Sequence, residues 1–255
     1  MIPRVAYRPT GMAYAPVNGL QLYYEIHGSG KPLVLLHGGL MTIDLNFGPL
    51  LEPLAGGRQV IAVELQGHGH TADASRAMTI EALAGDVVAL LDHLGIAEAD
   101  LFGFSLGGLV ACAVALGAPA RAGKLIVASA DAHRPPGRVS APLDEGRLPT
   151  AADFQAWRDA YEAIAPDPAH FDEFAAKNSA MVHEFAGWTD ELRSLQMPTL
   201  LIFGDRDFSP LPHVVEMFEL LPDAQLAVLP GTTHVGVTRR PSEVLALITP
   251  FLDAR

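Results

Sequence analysis

The chain of 255 residues is 49 % hydrophobic and 18 % charged, enough apolar material for a buried core and too little charge for a disordered chain. Its 17 basic and 29 acidic side chains give a net charge of −12, which argues against nucleic acid or a membrane surface as partner. One cysteine, no apolar run near the ~18 residues of a membrane span, and an N-terminus broken by Pro3, Pro9 and Gly11 point to the cytoplasm.

In chain order, Asn18-Gly19 predicts a tight hairpin between strands over residues 12–17 and 20–26. After a turn at 28–31, residues 32–36 form a short unbroken apolar run ending in His37-Gly38-Gly39, as in strands buried on both faces of a parallel sheet. Residues 60–65 read as the next strand and end in Gly67-His68-Gly69. Ile80, Leu83, Ala84, Val87, Val88 and Leu91 then repeat with the period of an amphipathic helix over 79–94, closed by Gly95. Strands follow at 100–104, 125–130, 199–203 and 225–229, and helices at 106–116, 213–221 and 241–252. Strand and helix in alternation predict a mostly parallel sheet covered on both faces, with the opening hairpin as an antiparallel edge. Between Ala132 and about Leu195 the rhythm breaks. Arg134-Pro135-Pro136-Gly137 leads into helical segments that place Phe154, Trp157 and Tyr161 on one face, followed by Phe171, Phe174 and Met181. This stretch reads as two or three helices inserted over the sheet, and it holds both tryptophans, Trp157 and Trp188.

The chemistry concentrates at Gly103-Phe104-Ser105-Leu106-Gly107, between a predicted strand and a predicted helix. A nucleophile on such a sharp turn needs small neighbours, because a Cβ at either glycine would meet the adjacent packing. The same turn sets the backbone N–H of Leu106 at the positive end of a helix, where an oxyanion is stabilised. A serine hydroxyl needs a base, and the base an orienting carboxylate. Asp207, at the carboxyl end of the 199–203 strand, and His234, after the 225–229 strand, supply both at the rim where open α/β sheets gather their functional groups. The order Ser105, Asp207, His234 matches one hydrolase architecture and neither protease order. Asp205 reads as a turn-stabilising carboxylate, and Cys112, inside an apolar helix, as buried and inert. His68 and His70 have an H-x-H spacing, but with Asp73 as the nearby carboxylate they make a poor zinc site.

These motifs resemble the α/β-hydrolase superfamily, in particular its compact, cofactor-free members with a short helical cap, over nearly the whole chain. The resemblance implies a roughly eight-stranded sheet, a core of residues 1–133 and 196–255, and a helical cap insertion at 134–195. It makes His37-Gly38-Gly39 the loop that gives a second oxyanion N–H, from Gly39 or, failing that, Leu40, while His37 organises the loop. Gly67-His68-Gly69-His70-Thr71 resembles the family's G-H-G-x-S turn, and the segment 198–207 its acid-bearing strand, with Asp131 as the other position from which some members take the acid. Glu64 and Gln66 depart from the Asp and Arg that many relatives carry there. What the resemblance implies for function is a Ser105–His234–Asp207 triad that cleaves a small, largely uncharged ester or lactone, without metal or organic cofactor. Leu40, Phe104, Trp157, Trp188 and Val235 are the pocket candidates. Ser105 at the elbow argues against dehalogenases and epoxide hydrolases, which carry Asp there, and Val235 stands where C–C hydrolases commonly place Trp. Perhydrolase-like or C–C hydrolase chemistry, or a slow-turnover ligand sensor, are the competing readings. An oligomer is compatible with the sequence but nothing in it calls for one.

Overall fold

In a computed structural model, described over residues 11–135 and 145–254, the hairpin forms where Asn18-Gly19 predicts it. Strands β1 (Gly11–Val17) and β2 (Leu20–His27) pair antiparallel with Val17 opposite Leu20. Asn18 and Gly19 take φ angles of 47° and 82°, the double positive-φ turn whose twist suits a two-residue hairpin. Six more strands follow: β3 (Lys31–Leu36), β4 (Arg58–Val63), β5 (Ala99–Phe104), β6 (Ala122–Ala128), β7 (Thr199–Arg206) and β8 (Ala224–Thr233). They form one eight-stranded sheet in the order β1-β2-β4-β3-β5-β6-β7-β8, antiparallel at β1–β2 and β2–β4 and parallel elsewhere. Leu33, Val34, Leu35 and Leu36 are fully buried, as the unbroken apolar run requires of a strand covered on both faces.

Helices α1 (Ile43–Ala55) and α7 (Pro241–Asp253) pack on one face of the sheet, and α2 (Ile80–His93), α3 (Leu106–Gly117) and α6 (Leu211–Leu220) on the other. Thr79 caps α2 by accepting from the Ala82 N–H, and Gly95 leaves it at φ 67°. The sequence reading has no counterpart for α1. Pro49 and Pro53 lie inside it, and interior prolines remove helical hydrogen bonds and so read as loop. Burial of Phe47, Leu50, Leu51 and Leu54, each contributing about 1.5–3 kcal/mol, outweighs that, and Thr42 caps the first turn.

Between β6 and β7 lie α4 (Ala151–Ile164) and α5 (Phe171–Glu184), with no strand among the described residues and one isolated bridge, His133 to Trp188. Pro136 and Gly137 of the predicted lead-in, and Pro3 and Pro9 of the N-terminus, lie outside the described residues. The predicted aromatic face of α4 splits: Trp157 and Tyr161 are buried, whereas Phe154 is 47 % exposed and touches the edge of Trp157. Tyr161 stacks on Phe174, which meets the His68 ring edge-on at 4.6 Å, and Lys177 of α5 pairs with Asp73 at 2.8 Å. These contacts seat α4 and α5 on the turn that follows β4. Among the described residues no helix is long and apolar enough to cross a membrane.

Candidate active site

Ser105 occupies the turn between β5 and α3 at φ 51°, ψ −117°, a conformation that costs a non-glycine residue about 1–3 kcal/mol. The surroundings enforce it. The Ser105 N–H donates to the Ala128 carbonyl at 2.8 Å, and its own carbonyl accepts from Gly108 and Leu109 at 2.9 and 3.1 Å. A Cβ at Gly103 would stand 2.1 Å from the Gly107 carbonyl oxygen, and one at Gly107 would stand 1.9 Å from that of Leu36, so the motif's glycines are sterically required. Leu106 opens α3, so its N–H has no intrahelical acceptor and lies at the positive helix end.

His234 follows directly on β8. Its Nε2 lies 3.0 Å from Ser105 Oγ and its Nδ1 3.0 Å from Asp207 Oδ1. Three groups distant in sequence therefore meet in one hydrogen-bonded line. Phe208 stacks on the imidazole at 4.0 Å and Phe104 flanks it at 5.1 Å, which fixes the plane of the ring. Asp207 is fully buried. Burial pushes its carboxyl upward, but the hydrogen bond and charge of His234, then the Ser129 hydroxyl and the Ser209 N–H, outweigh it and hold the group below the usual aspartate range. Asp207 is thus an anion placed to steady a proton on Nδ1 and a positive imidazolium.

The loop after β3 borders this line: a Cβ at Gly38 would meet the Phe104 ring at 2.8 Å. The Leu65 N–H donates to His37 Nε2 at 3.1 Å, which leaves the proton on Nδ1 to donate to the Gly38 carbonyl at 2.9 Å. His37 thereby ties the two loops after β3 and β4 together, and burial pushes its pKa down. Asn46 accepts from the Gly38 N–H at 2.9 Å, and Leu40 sits at φ 62°. The Asn178 amide of α5 packs against Gly39, where a Cβ would lie 2.9 Å from its Nδ2. Asn46, Ser129, Asn178 and Phe208 all shape the site, and no motif in the sequence singles them out. An asparagine between Lys177 and Ser179 reads as a solvent-facing helix position, and Ser129 gains meaning only once β6 and β7 are neighbours.

Met41, Leu45, Trp157, Val235, Thr238 and Arg239 help line a cavity of about 390 Å³. It borders the triad line through Val235, the residue after His234, although Ser105 is not on its wall. Its charged side chains Asp153 and Arg239 are paired with each other. Of the predicted pocket residues, Trp157 and Val235 line this cavity, whereas Phe104, at the end of β5, and Leu40, in the loop after β3, are not on its wall. Trp188 is not: its ring packs on Phe185 at 4.7 Å and its backbone N–H donates to the Ala132 carbonyl, because the chain leaving α5 returns there to the end of β6.

The rival residues have other partners. Asp131 meets His213 at 2.7 Å and not His234. His68 Nδ1 donates to the Gln66 carbonyl at 3.0 Å, His70 pairs with Glu64 at 2.8 Å, and Asp73 pairs with Lys177, so the H-x-H pair and Asp73 do not converge. Asp205 accepts from the Thr232 N–H at 3.1 Å and stabilises its turn. Burial pushes the Cys112 thiol up to about 12, which rules it out as a thiolate nucleophile.

Residues 31–179 match the family model described as alpha/beta hydrolase fold. The dihydrolipoyllysine-residue acetyltransferase component of the acetoin cleaving system from Pseudomonas putida is 31 % identical, covering 93 % of this chain and 68 % of that protein. The non-heme haloperoxidase of Rhodococcus erythropolis is 28 % identical over 93 % of this chain and 97 % of its own. Among solved structures, a thermophilic esterase from Thermogutta terrifontis with malate bound superposes with a TM-score of 0.76 at 26 % identity, covering 96 % of this chain and 98 % of that one.

Proposed function

The chain belongs to the alpha/beta hydrolase fold family, and from that premise we propose that this hydrolase cleaves a small, largely uncharged carboxylic ester or lactone through an acyl-enzyme on Ser105. The observation that carries the reading is the line from Ser105 Oγ through His234 to Asp207, with both contacts at 3.0 Å. In the first half-reaction Ser105 Oγ bonds to the carbonyl carbon while its proton passes to His234 Nε2. The carbonyl oxygen becomes an oxyanion held by the N–H groups of Gly39 and Leu106, and each such donor is worth on the order of 10²–10³ in kcat. The alcohol then leaves with the proton from His234. Water, deprotonated by the same nitrogen, opens the acyl-enzyme and returns Ser105. Asp207 stays ionised throughout and holds the imidazole in its working tautomer.

Helices α4 and α5 act as a cap, and the apolar cavity lined by Trp157, its one ion pair internally neutralised, supports an uncharged acyl or alcohol group. The esterase neighbour supports the same class. The reaction as written requires no metal or organic cofactor, and a cytoplasmic location fits the single buried cysteine. The test is steady-state hydrolysis of a panel of p-nitrophenyl esters and lactones, beside fluorophosphonate labelling. Multiple turnovers, lost in Ser105→Ala, and label on Ser105 are expected. A single stoichiometric burst would make the protein a sensor, and label elsewhere would remove Ser105 from the chemistry.

A further inference from the structure

Away from Ser105, the exit of β6 and the first turns of α6 bring His133, His213 and Glu216 together. Both histidines are buried, and their rings stack with centroids 5.0 Å apart. Each has its outer nitrogen engaged. His213 Nε2 lies 2.7 Å from Asp131 Oδ1, and His133 Nδ1 lies 3.2 Å from Thr189 Oγ1 and 3.4 Å from the Trp188 carbonyl. A neutral ring that gives its proton to the outer acceptor, Asp131 for His213 and the Trp188 carbonyl for His133, presents its inner nitrogen, Nδ1 of His213 and Nε2 of His133, as a lone pair. Glu216 Oε2 stands on that inner side, 3.4 Å from the first and 3.8 Å from the second. Two imidazole nitrogens and a carboxylate oxygen gathered this closely are donor atoms of the kind that a transition-metal ion takes.

We propose that His133 Nε2, His213 Nδ1 and Glu216 Oε2 bind a divalent transition-metal ion of the Zn²⁺ type. Imidazole nitrogen with one carboxylate is a donor set for Zn²⁺ and its neighbours, whereas Mg²⁺ and Ca²⁺ require oxygen. Tetrahedral Zn²⁺ with bonds of about 2.0–2.1 Å sets adjacent donors roughly 3.3–3.5 Å apart. The His213–Glu216 pair already has that separation, His133–Glu216 needs a few tenths of an ångström, and all three atoms lie within 4.8 Å of one another. Asp131 and the Trp188 carbonyl are the outer partners that orient metal-bound histidines. A surface pocket of about 480 Å³, walled by His133, Thr189 and Glu216, leaves room for a water as fourth ligand. A bound ion would clip α6, which follows the Asp207 loop, to the exit of β6. The site is independent of the serine-hydrolase reading.

The test titrates Zn²⁺ into the full-length, EDTA-stripped protein by calorimetry while following the thermal midpoint. One saturable site is expected, with a midpoint rise of about 5–10 °C at a hundredfold excess over Kd and none with Mg²⁺. His213→Gln and Glu216→Gln each weaken binding at least tenfold, and His183→Gln, at an exposed position of α5, leaves it unchanged. Co²⁺ gives visible bands of low-coordinate metal in the native chain that are absent from His133→Gln. Glu216 is half exposed, so Glu216→Gln decides the question even where a histidine variant fails to fold. No saturable heat in the native chain, or binding undiminished in Glu216→Gln, overturns the proposal.

Discussion

The floor of the site and the helices above it are held by different forces. The floor is backbone and buried hydrocarbon: β3 and β5 are covered on both faces, Gly103 and Gly107 exclude any side chain, and Ser105 is pinned through its own peptide groups. Helices α4 and α5 rest instead on aromatic edges and side-chain pairs, namely Lys177 with Asp73, Arg239 with Asp153, and Arg134 on the Val182 and Phe185 carbonyls. Close packing gives way to no substitution without cost, whereas part-exposed ion pairs contribute about 1 kcal/mol or less each. The nucleophile's position is therefore a property of the fold, and above it the ion pairs, unlike the buried Tyr161, Phe171 and Phe174, can change with little loss of stability.

The sharpest way to break that contrast is at the floor. Ser105→Ala is expected to lower kcat/KM for a p-nitrophenyl ester by on the order of 10⁵-fold without lowering the thermal midpoint; a variant keeping a tenth of the activity would separate the floor from the chemistry. Asp207→Asn preserves shape but favours the wrong imidazole tautomer, so kcat falls on the order of 10⁴-fold at unchanged KM, and an unaltered rate would hand the acid's role elsewhere. Gly107→Ala forces a Cβ to within 1.9 Å of the Leu36 carbonyl oxygen, at an expected cost of at least about 3 kcal/mol in urea unfolding. In the upper layer, Lys177→Met should cost about 1 kcal/mol and raise KM several-fold while kcat stays within twofold. If it instead abolished folding, the two regions would be one.

The most gradual effect concerns acid. Burial pushes the pKa of both His37 and His68 down, and for His68 the neighbouring His37 adds to it. Their folded-state values lie below those of the unfolded chain, near 6.5, so the unfolded chain takes up protons first as pH falls. The stability they contribute as neutral rings is present above about pH 6.5 and is lost progressively below it, by at most about 1.4 kcal/mol per pH unit per histidine. A plot of thermal midpoint against pH should bend downward there and flatten in His68→Gln. A level native curve from pH 7 to 5 would contradict the assignment.

Much of the floor was legible because its signals are local. Asn18-Gly19 sets a turn by its own φ preferences, and Gly103 and Gly107 announce close packing without knowledge of the partner. Runs such as Leu33 to Leu36 carry the parallel sheet in their composition. Features that depend on who meets whom were not legible. Pro49 and Pro53 hid α1, whose burial overrides their local preference. Trp188 shared a segment with Trp157 but left the cavity with the chain's return to β6. Asn178 and Ser129 are ordinary polar residues until the fold sets one beside Gly39 and the other beside Asp207. Phe154, one turn from Trp157, faces solvent because a helical stripe shows direction and not the width of what covers it.

The positive φ of Ser105 has an evolutionary side. Glycine adopts that angle without penalty, so a library randomised at this position and ranked only by heat resistance should put glycine above the native serine. Selection for robustness alone would thus drift toward an inert protein, and keeping the hydroxyl demands continuous selection on turnover. That ranking can be read from one plate of melting curves.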